Sequence, residues 1–429
     1  MEIKIQSTRF IKPSKSTPEN RRYFKLSLLD QLAPSAYINL IFFYKASGGV
    51  NISDRVGQLV KSLSEVLTSF YPLAGRITED GLAVDCSDQG VEYFETRVSA
   101  RLDEFLAHGS KMDHVHRLVA TPDQVRNTLV IIQVNVFDCG SLVIGVSASH
   151  KVTDACNLVR FINAWASTNR TRPSNGPFSP SFDNLDSLFR PRENLSNEHS
   201  PVSVELENIT VTKRFVFDRT AIRKLRSKTG LENSTKHSRV TLVASLVWKA
   251  LILIDKVNCG RFRDCLLAPA MNLRGKVGSP ISESSFGNVW APYPIRLLQK
   301  EMEPKFVDLV SMIEDTTKSI IAWLATASGE EICKHAMASY AKVNEELKHN
   351  KFCMFTSWCR FPIYEADFGW GKPDWARALE RSLELVTLMD DKHGDAIEAW
   401  VSLNEKDMYV FEQDRDILAF TTSTISEVA

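Results

Sequence analysis

The chain has 429 residues, of which 44% are hydrophobic and 24% are charged, and 52 basic residues balance 52 acidic ones. A domain typically spans about 150 residues, so this length predicts two or three domains, and the composition is that of a globular protein. The balanced charge, with no basic stripe, argues against nucleic acid and anionic membrane surfaces as partners.

Targeting signals and disulfides are not expected either. The first 20 residues lack the apolar core of a secretory signal. The most apolar stretch, "VTLVASLVWKALILI", contains Lys249 and is shorter than the roughly 20 residues that a membrane span needs. The eight cysteines form no C-x-x-C pair, which favours reduced thiols. We therefore expect a cytoplasmic protein without a membrane span.

The first part of the chain predicts strands and helices in alternation. Residues 37–44, "YINLIFFY", are apolar, β-branched and aromatic, as in a buried strand. Residues 56–70 repeat apolar positions every three or four residues, which predicts an amphipathic helix before the turn "YPLAGR". Strands are predicted at 127–137 and 141–149 with the turn "DCG" between them, and a helix follows Asp154.

Residues 171–210 are dense in Pro, Ser, Asn and Gly and show no periodicity, so we predict a crossover loop between two domains. The mixture of strands and helices on both sides predicts an α/β protein with domains at 1–170 and 211–429. Part of 355–380 is a candidate for packing with the N-terminal domain. Beyond the crossover, the predicted strands are 209–218, 264–275, 383–391 and 396–403, and the predicted helices are 219–230, 240–254 and 305–323.

His150 and Asp154, in "SHKVTDA", lie where the predicted strand gives way to the helix. From these residues alone, three interpretations are open. His150 is a core histidine followed by an N-cap aspartate, or the two are metal ligands, or His150 is a general base supported by the carboxylate. Metal binding is the weakest of these, because zinc sites use three or four ligands. An imidazole titrates near neutrality, which suits it to proton transfer beside a cleft.

A more specific motif is "DFGWG" at 367–371, within "FTSWCRFPIYEADFGWGKP". Together with "SLLDQL", "YPLAGR", "SHKVTDA", "MNLRG", "FGN" and "GDAIEAWVSL", in this order along almost the whole chain, it makes the sequence resemble the plant BAHD acyl-CoA-dependent acyltransferases. Three segments, "SHKVTDA", "FTSWCR" and "DFGWGKP", most resemble the vinorine-synthase-type alkaloid acetyltransferases.

This resemblance implies a two-domain chloramphenicol-acetyltransferase-like fold of the α/β class, with a mixed sheet and helices in each domain. A substrate channel is expected at the domain interface. The implied co-substrate is acyl-CoA, with acetyl-CoA favoured, and no metal or bound cofactor is implied. The expected acceptor is a hydroxyl group of a plant specialised metabolite, an alkaloid for preference. We also expect a monomer.

The resemblance assigns roles to five residues. His150 is the general base that takes the proton of the acceptor hydroxyl. Asp154 supports the histidine loop through an ion pair with Arg274. Thr356 and Trp358, in "FTSW", donate hydrogen bonds to the oxyanion of the tetrahedral intermediate.

Two further residues are implied at the CoA entrance. Ser238 and Arg239, in "HSRVT", precede a predicted helix whose N-terminal amides suit phosphate oxygens. An exposed loop with an arginine that binds no ligand is the alternative for this segment.

The motif "DFGWG" is expected to be structural. Gly369 and Gly371 flank Trp370, a spacing that suits a tight bend in which glycine takes positive φ. Asp367 is expected to accept hydrogen bonds from the amides of this bend and to pair with Arg76.

Three other functions stay open at the level of sequence. The chain is a non-catalytic relative that binds a metabolite, or a zinc hydrolase that uses H-x-x-x-D, or an acyltransferase for sugar, terpenoid or fatty alcohol acceptors with longer acyl-CoAs. A binding protein has no need of the predicted base, which argues against the first.

Overall fold

The computed structural model describes residues 1–46, 51–107, 112–120, 127–170, 179–182, 185–193, 195, 210–230, 237–278, 281–298, 302–346, 351–379 and 384–421. Most of the predicted crossover at 171–210 lies outside these residues. Two large mixed sheets and one small sheet, with helices packed on them, confirm the predicted α/β class.

The strands and helices follow in chain order. The strands are β1 (Ile3–Ile11), β2 (Tyr23–Lys25), β3 (Tyr37–Tyr44), β4 (Arg76–Ile77), β5 (Ala83–Asp85), β6 (Val91–Val98), β7 (Val130–Phe137), β8 (Leu142–Ser149), β9 (Thr210–Phe217), β10 (Cys265–Asn272), β11 (Trp290–Pro292), β12 (Ile295–Leu297), β13 (Lys351–Ser357), β14 (Trp375–Ala378), β15 (Leu385–Asp390) and β16 (Ile397–Asn404). The α-helices are α1 (Leu28–Leu32), α2 (Ile52–Ser69), α3 (Leu102–Ala107), α4 (Met112–His116), α5 (Ala155–Asn169), α6 (Leu185–Leu188), α7 (Arg219–Ser227), α8 (Arg239–Cys259), α9 (Phe306–Leu324), α10 (Gly329–Glu346), α11 (Glu405–Glu412) and α12 (Arg415–Phe420).

The first large sheet has six strands in the order β1-β6-β7-β8-β3-β14, in which only β6 and β7 pair in parallel. The buried strand predicted at 37–44 is confirmed as β3, and the predicted hairpin is confirmed as β7 and β8. The edge strand β14 comes from the C-terminal part of the chain and pairs with β3. The first sheet is therefore completed by residues far away in sequence.

Helices α2 and α5 pack together and belong to the core of the first sheet. The indole N–H of Trp165 in α5 donates to the backbone oxygen of Leu59 and to Ser62 Oγ in α2, both at 3.1 Å. Helix α2 begins four residues before the predicted helix, because Asn51 caps it by accepting a hydrogen bond from the Ser53 amide.

The second large sheet has the order β11-β10-β13-β15-β16-β9, with β12 also on β10. Its central strands β10, β13 and β15 are parallel, and its core includes side chains from α7, α8, α9, α11 and α12. The predicted strands and helices of this half are confirmed. Helix α8 ends at Cys259 and is capped by Gly260, whose φ of 72° is a left-handed conformation that favours glycine.

A third apolar cluster joins α1 to α10 and to the chain around β11. The small sheet has the strand order β2-β5-β4, and its strands come from the same part of the chain as most strands of the first large sheet. None of the helices in the described ranges combines the length and the apolar character that a membrane crossing needs.

Candidate active site

A cavity with about 980 Å³ of space, part of it open to solvent, lies between the two large sheets. Residues 37–39 of β3 line it from the first sheet, and residues 354, 356 and 357 of β13 line it from the second. His150, which directly follows β8, lies in its wall. The predicted base is thus at a strand end beside a cleft.

The ring of His150 is held by Asn288. His150 Nδ1 lies 3.0 Å from Asn288 Oδ1, and the side-chain amide of Asn288 donates back to the His150 carbonyl oxygen at 2.7 Å. The indole N–H of Trp290 donates to the same Asn288 Oδ1 at 3.0 Å. An indole N–H only donates, so this atom of Asn288 is the acceptor and His150 Nδ1 carries a proton. In the neutral ring, Nε2 therefore has a free lone pair.

The charge state of His150 follows from its burial. Burial lowers the pKa of His150 below its ordinary value of 6.5, and the nearby carboxylate of Asp154 opposes this shift. The ring is therefore neutral near pH 7, as a general base must be.

Asp154 points to the protein rather than to the imidazole. One of its carboxylate oxygens accepts from the Asn157 amide at 2.9 Å, which caps α5. The other accepts from Arg274 Nη1 at 2.6 Å and from the Val289 amide at 3.1 Å. The predicted Asp154–Arg274 pair is present and buried. In the described part of the chain, no three His, Cys, Asp or Glu side chains group as metal ligands.

Two residues of the site, Asn288 and Asp30, have no role in the sequence-based prediction. Asp30 is buried, and it accepts from both the backbone amide and the side-chain amide of Asn288 at 2.7 and 2.9 Å. Burial raises the pKa of Asp30. The segments "SLLDQL" and "FGN" contain the two residues, but only the folded chain brings them to His150.

Thr356 and Trp358 line the same cavity as His150. Thr356 is at the second-last position of β13, and the backbone amide of Trp358 donates to Leu388 in β15 at 2.8 Å. A hydroxyl and an indole N–H are both hydrogen-bond donors, so the chemistry of the pair suits an oxyanion.

Ser238 and Arg239 are engaged within the protein. Ser238 caps α8 by accepting from the Thr241 amide at 3.0 Å. Arg239 donates to the Gly394 carbonyl oxygen at 2.7 Å and to Asp390 Oδ1 at 3.0 Å. Neither Ser238 nor Arg239 is among the described residues that line the cavity. A role for this pair in CoA binding stays a prediction.

The "DFGWG" segment forms the expected bend. Asp367 Oδ1 accepts from the amides of Gly369 and Gly371 at 2.8 and 2.9 Å. Both glycines have positive φ, 104° and 108°. The predicted partner Arg76 is wrong, since the arginine that approaches Asp367 is Arg170, with 3.7 Å between Nη1 and Oδ2.

The reason for this correction is local. Arg76 directs its Nη1 to two backbone carbonyl groups, those of Gly75 and Gly90, at 2.7 and 3.0 Å. Trp370 packs against Arg55, whose guanidinium lies 5.3 Å from the centre of the indole ring. No described residue from 367 to 371 lines the cavity.

Comparison with known proteins identifies the class. A family model described as the Transferase family matches residues 1–418. A malonyltransferase of Salvia splendens that acts on an acylated pelargonidin glucoside is 34% identical over 98% of this chain and 100% of its own. Limonoid 21-O-acetyltransferase of Melia azedarach is 35% identical, over 98% and 99%.

Vinorine synthase of Rauvolfia serpentina is 33% identical over 94% of each chain. A crystal structure of vinorine synthase superposes with a TM-score of 0.86 at 30% identity, covering 99% of this chain and 100% of that one. The fold and the relatives define an acyltransferase with the two-domain chloramphenicol-acetyltransferase-like fold. The chain belongs to the plant BAHD acyltransferase family.

Proposed function

We propose that this acyltransferase moves an acyl group, most simply acetyl, from acyl-CoA to a hydroxyl of a plant specialised metabolite, with His150 as general base. The observation that carries the proposal is the placement of His150, its Nδ1 held by Asn288, in one cavity with Thr356 and Trp358. The family uses acyl-CoA as its co-substrate.

In the proposed reaction, His150 Nε2 takes the proton from the acceptor hydroxyl while the oxygen attacks the thioester carbonyl carbon. The tetrahedral intermediate then collapses, the carbon–sulfur bond breaks, and the sulfur leaves with the proton returned by the imidazolium. A positioned base contributes about 10²–10⁴-fold to such a step. Asn288 keeps the ring in the tautomer that this transfer requires.

The negative charge of the intermediate needs hydrogen-bond donors. Thr356 and Trp358 are the candidates, since both line the cavity that holds His150. A single oxyanion donor is worth about 10²–10³-fold in kcat.

The charge of the cavity favours an uncharged acyl group. Among the described lining residues there is no lysine or arginine, and the carboxylate of Asp154 is already paired with Arg274. A malonyl carboxylate would be desolvated there without a partner, which is costly. Acetyl-CoA therefore fits this cavity better than malonyl-CoA, the donor type that the name of the Salvia relative implies.

Direct transfer is favoured over an acyl-cysteine intermediate. Cys156 lines the cavity, and burial raises the pKa of its thiol above the ordinary value. The thiolate is the nucleophilic form, so this thiol is a poor acyl acceptor near pH 7.

For the acceptor we favour an alkaloid alcohol, on the likeness to vinorine synthase in sequence and fold. The limonoid acetyltransferase supports a terpenoid alcohol as the second candidate. Sugar or fatty alcohol acceptors with longer acyl-CoAs are further alternatives. A non-catalytic binding role is disfavoured, because the base and both oxyanion donors share one cavity.

The test is a thiol-release screen of the purified protein. Acetyl-, malonyl- and longer acyl-CoAs are each paired with alkaloid, terpenoid, sugar and phenolic alcohols, and the esters are identified by mass spectrometry. We expect acetyl transfer to at least one alkaloid or terpenoid alcohol and little from malonyl-CoA. Binding of a metabolite without any thiol release would contradict the proposal.

A further inference from the structure

Trp290 is held in a fixed position beside the base. It lines the cavity, and its ring centre is 5.5 Å from that of His150 at an interplanar angle of 47°. Tyr340 of α10 packs edge-on against it at 6.5 Å. The indole N–H donates to Asn288 Oδ1 at 3.0 Å. Contacts with three side chains therefore fix both the place and the tilt of the indole.

The cavity that Trp290 lines is bounded by both large sheets. Strand β3 of the first sheet and strands β10, β11 and β13 of the second contribute side chains to its wall. The described lining residues are mostly apolar, among them Ile38, Met354, Leu379 and Leu385.

An apolar cavity with an immobilised indole next to the base favours one kind of acceptor. We propose that Trp290 determines acceptor specificity, selecting alcohols that carry an aromatic ring near the reacting hydroxyl, so that the ring stacks on the indole while the hydroxyl meets His150 Nε2. This inference rests on the proposed acyl transfer and deepens it. Aromatic pairing adds about 2- to 10-fold in binding beyond the effect of buried area.

The experiment compares two alcohols with one carbon skeleton. The pair is 1,2,3,4-tetrahydro-2-naphthol, which keeps an aromatic ring, and trans-decahydro-2-naphthol, which is fully saturated. With acetyl-CoA, the wild type should show a kcat/KM ratio of about 2 to 10 in favour of the aromatic alcohol. Trp290→Leu should bring this ratio to about one, while Trp290→Phe should keep most of it.

Trp323→Leu is the matched control. Trp323 lies on α9, contacts His335 at 5.1 Å between ring centres, and does not line the described cavity. The same substitution there should leave the ratio at its wild-type value. A loss of the ratio in this control as well would overturn the proposal, because the effect would then be general.

Other outcomes also decide the question. An unchanged ratio in a folded Trp290→Leu protein overturns the inference, and so does a wild type that acylates other alcohols but neither of this pair. A wild type that releases thiol with no acceptor at all counts against the proposed function instead. Should Trp290→Leu fail to fold, the methyl ethers of the two alcohols are compared as inhibitors of the wild type. Their inhibition constants should differ by about 2- to 10-fold in favour of the aromatic ether, and a ratio near one would overturn the inference.

Discussion

At His150, hydrogen bonding holds the proton on Nδ1, while burial disfavours a second proton on the ring. Asn288 holds Nδ1, and burial lowers the pKa of the ring, so that the neutral form has Nε2 free for the acceptor. Asn288 is oriented in turn by Trp290 and Asp30. The positioning of the base thus brings together three distant parts of the chain, around residues 30, 150 and 288–290.

Removal of the imidazole should abolish most of the activity. We expect His150→Ala to lower acyl transfer by at least about 10²-fold, the lower range for loss of a general base. Product formation per folded protein is the measurement, with folding checked by circular dichroism. His393→Ala is the control, because His393 is exposed. Near wild-type turnover in folded His150→Ala would remove the imidazole from the chemistry.

The pH dependence should report the lowered pKa of His150. Only the neutral ring accepts a proton, so kcat/KM should rise with pH through a midpoint below 6.5 and level off above it. Asn288→Asp places a carboxylate on Nδ1, which favours imidazolium, and should move this midpoint upward. A wild-type midpoint well above 6.5, or a downward shift in the variant, would contradict this assignment.

At the scale of elements, the Asp154–Arg274 pair ties the start of α5 to the loop after β10. The Arg274 side chain is fully buried, so loss of its partner leaves an uncompensated charge. Asp154→Ala should therefore reduce the free energy of unfolding by about 3–5 kcal/mol. Denaturant unfolding measures this, and Asp103→Ala, in an exposed ion pair, should change it little. An unaltered stability of Asp154→Ala would show that the pair is not a structural support.

The bend at "DFGWG" should matter for stability and not for chemistry. Asp367→Ala removes the acceptor of two amide hydrogen bonds, which should cost about 1–3 kcal/mol. Folded Asp367→Ala protein should keep most of its turnover per active site. Thermal unfolding measures the loss of stability, and an acyl-transfer assay measures the turnover. Unchanged melting with abolished transfer would make Asp367 part of the chemistry.

The sequence predicts the elements whose burial follows a clear period. Strand β3 is buried at seven of eight positions, and α2 has one apolar face, so both are recognisable. Strand β1 is exposed at most positions and shows no alternation, which is why the sequence does not indicate it. Strand β14 has only four residues, too few to show a period. The sequence indicates part of 355–380 as a candidate for packing with the N-terminal domain, but the pairing of β14 with β3 is set by tertiary packing.

In the candidate active site, too, local motifs indicate some residues and only tertiary packing brings in the others. The family motifs contain His150, Thr356 and Trp358, but nothing local connects Asp30 to Asn288, 258 residues later. The prediction that Arg76 pairs with Asp367 is wrong because the distance between two turns cannot be read from their sequences. Arg170, at the end of α5, takes that place through the packing of the helix.

At the scale of the whole molecule, two sheets from different parts of the chain face one cavity, and β14 crosses from one half to the other. Ala378 and Leu379, at and just after the end of β14, line the cavity together with Leu385 and Thr387 of β15. The proposed transfer would take place between the sheets, and we therefore expect a ternary complex of the protein with both substrates.

Direct transfer in that complex is tested most directly by a single-turnover experiment. Enzyme in excess is mixed with acetyl-CoA that is radiolabelled in the acetyl group, with and without acceptor. The label is followed on the protein and on the ester product, and thiol release is measured in parallel. We expect no labelled protein and almost no thiol without acceptor, and equal amounts of thiol and ester with it. A stable acetyl group on any of the eight cysteines that passes its label to the acceptor would contradict direct attack.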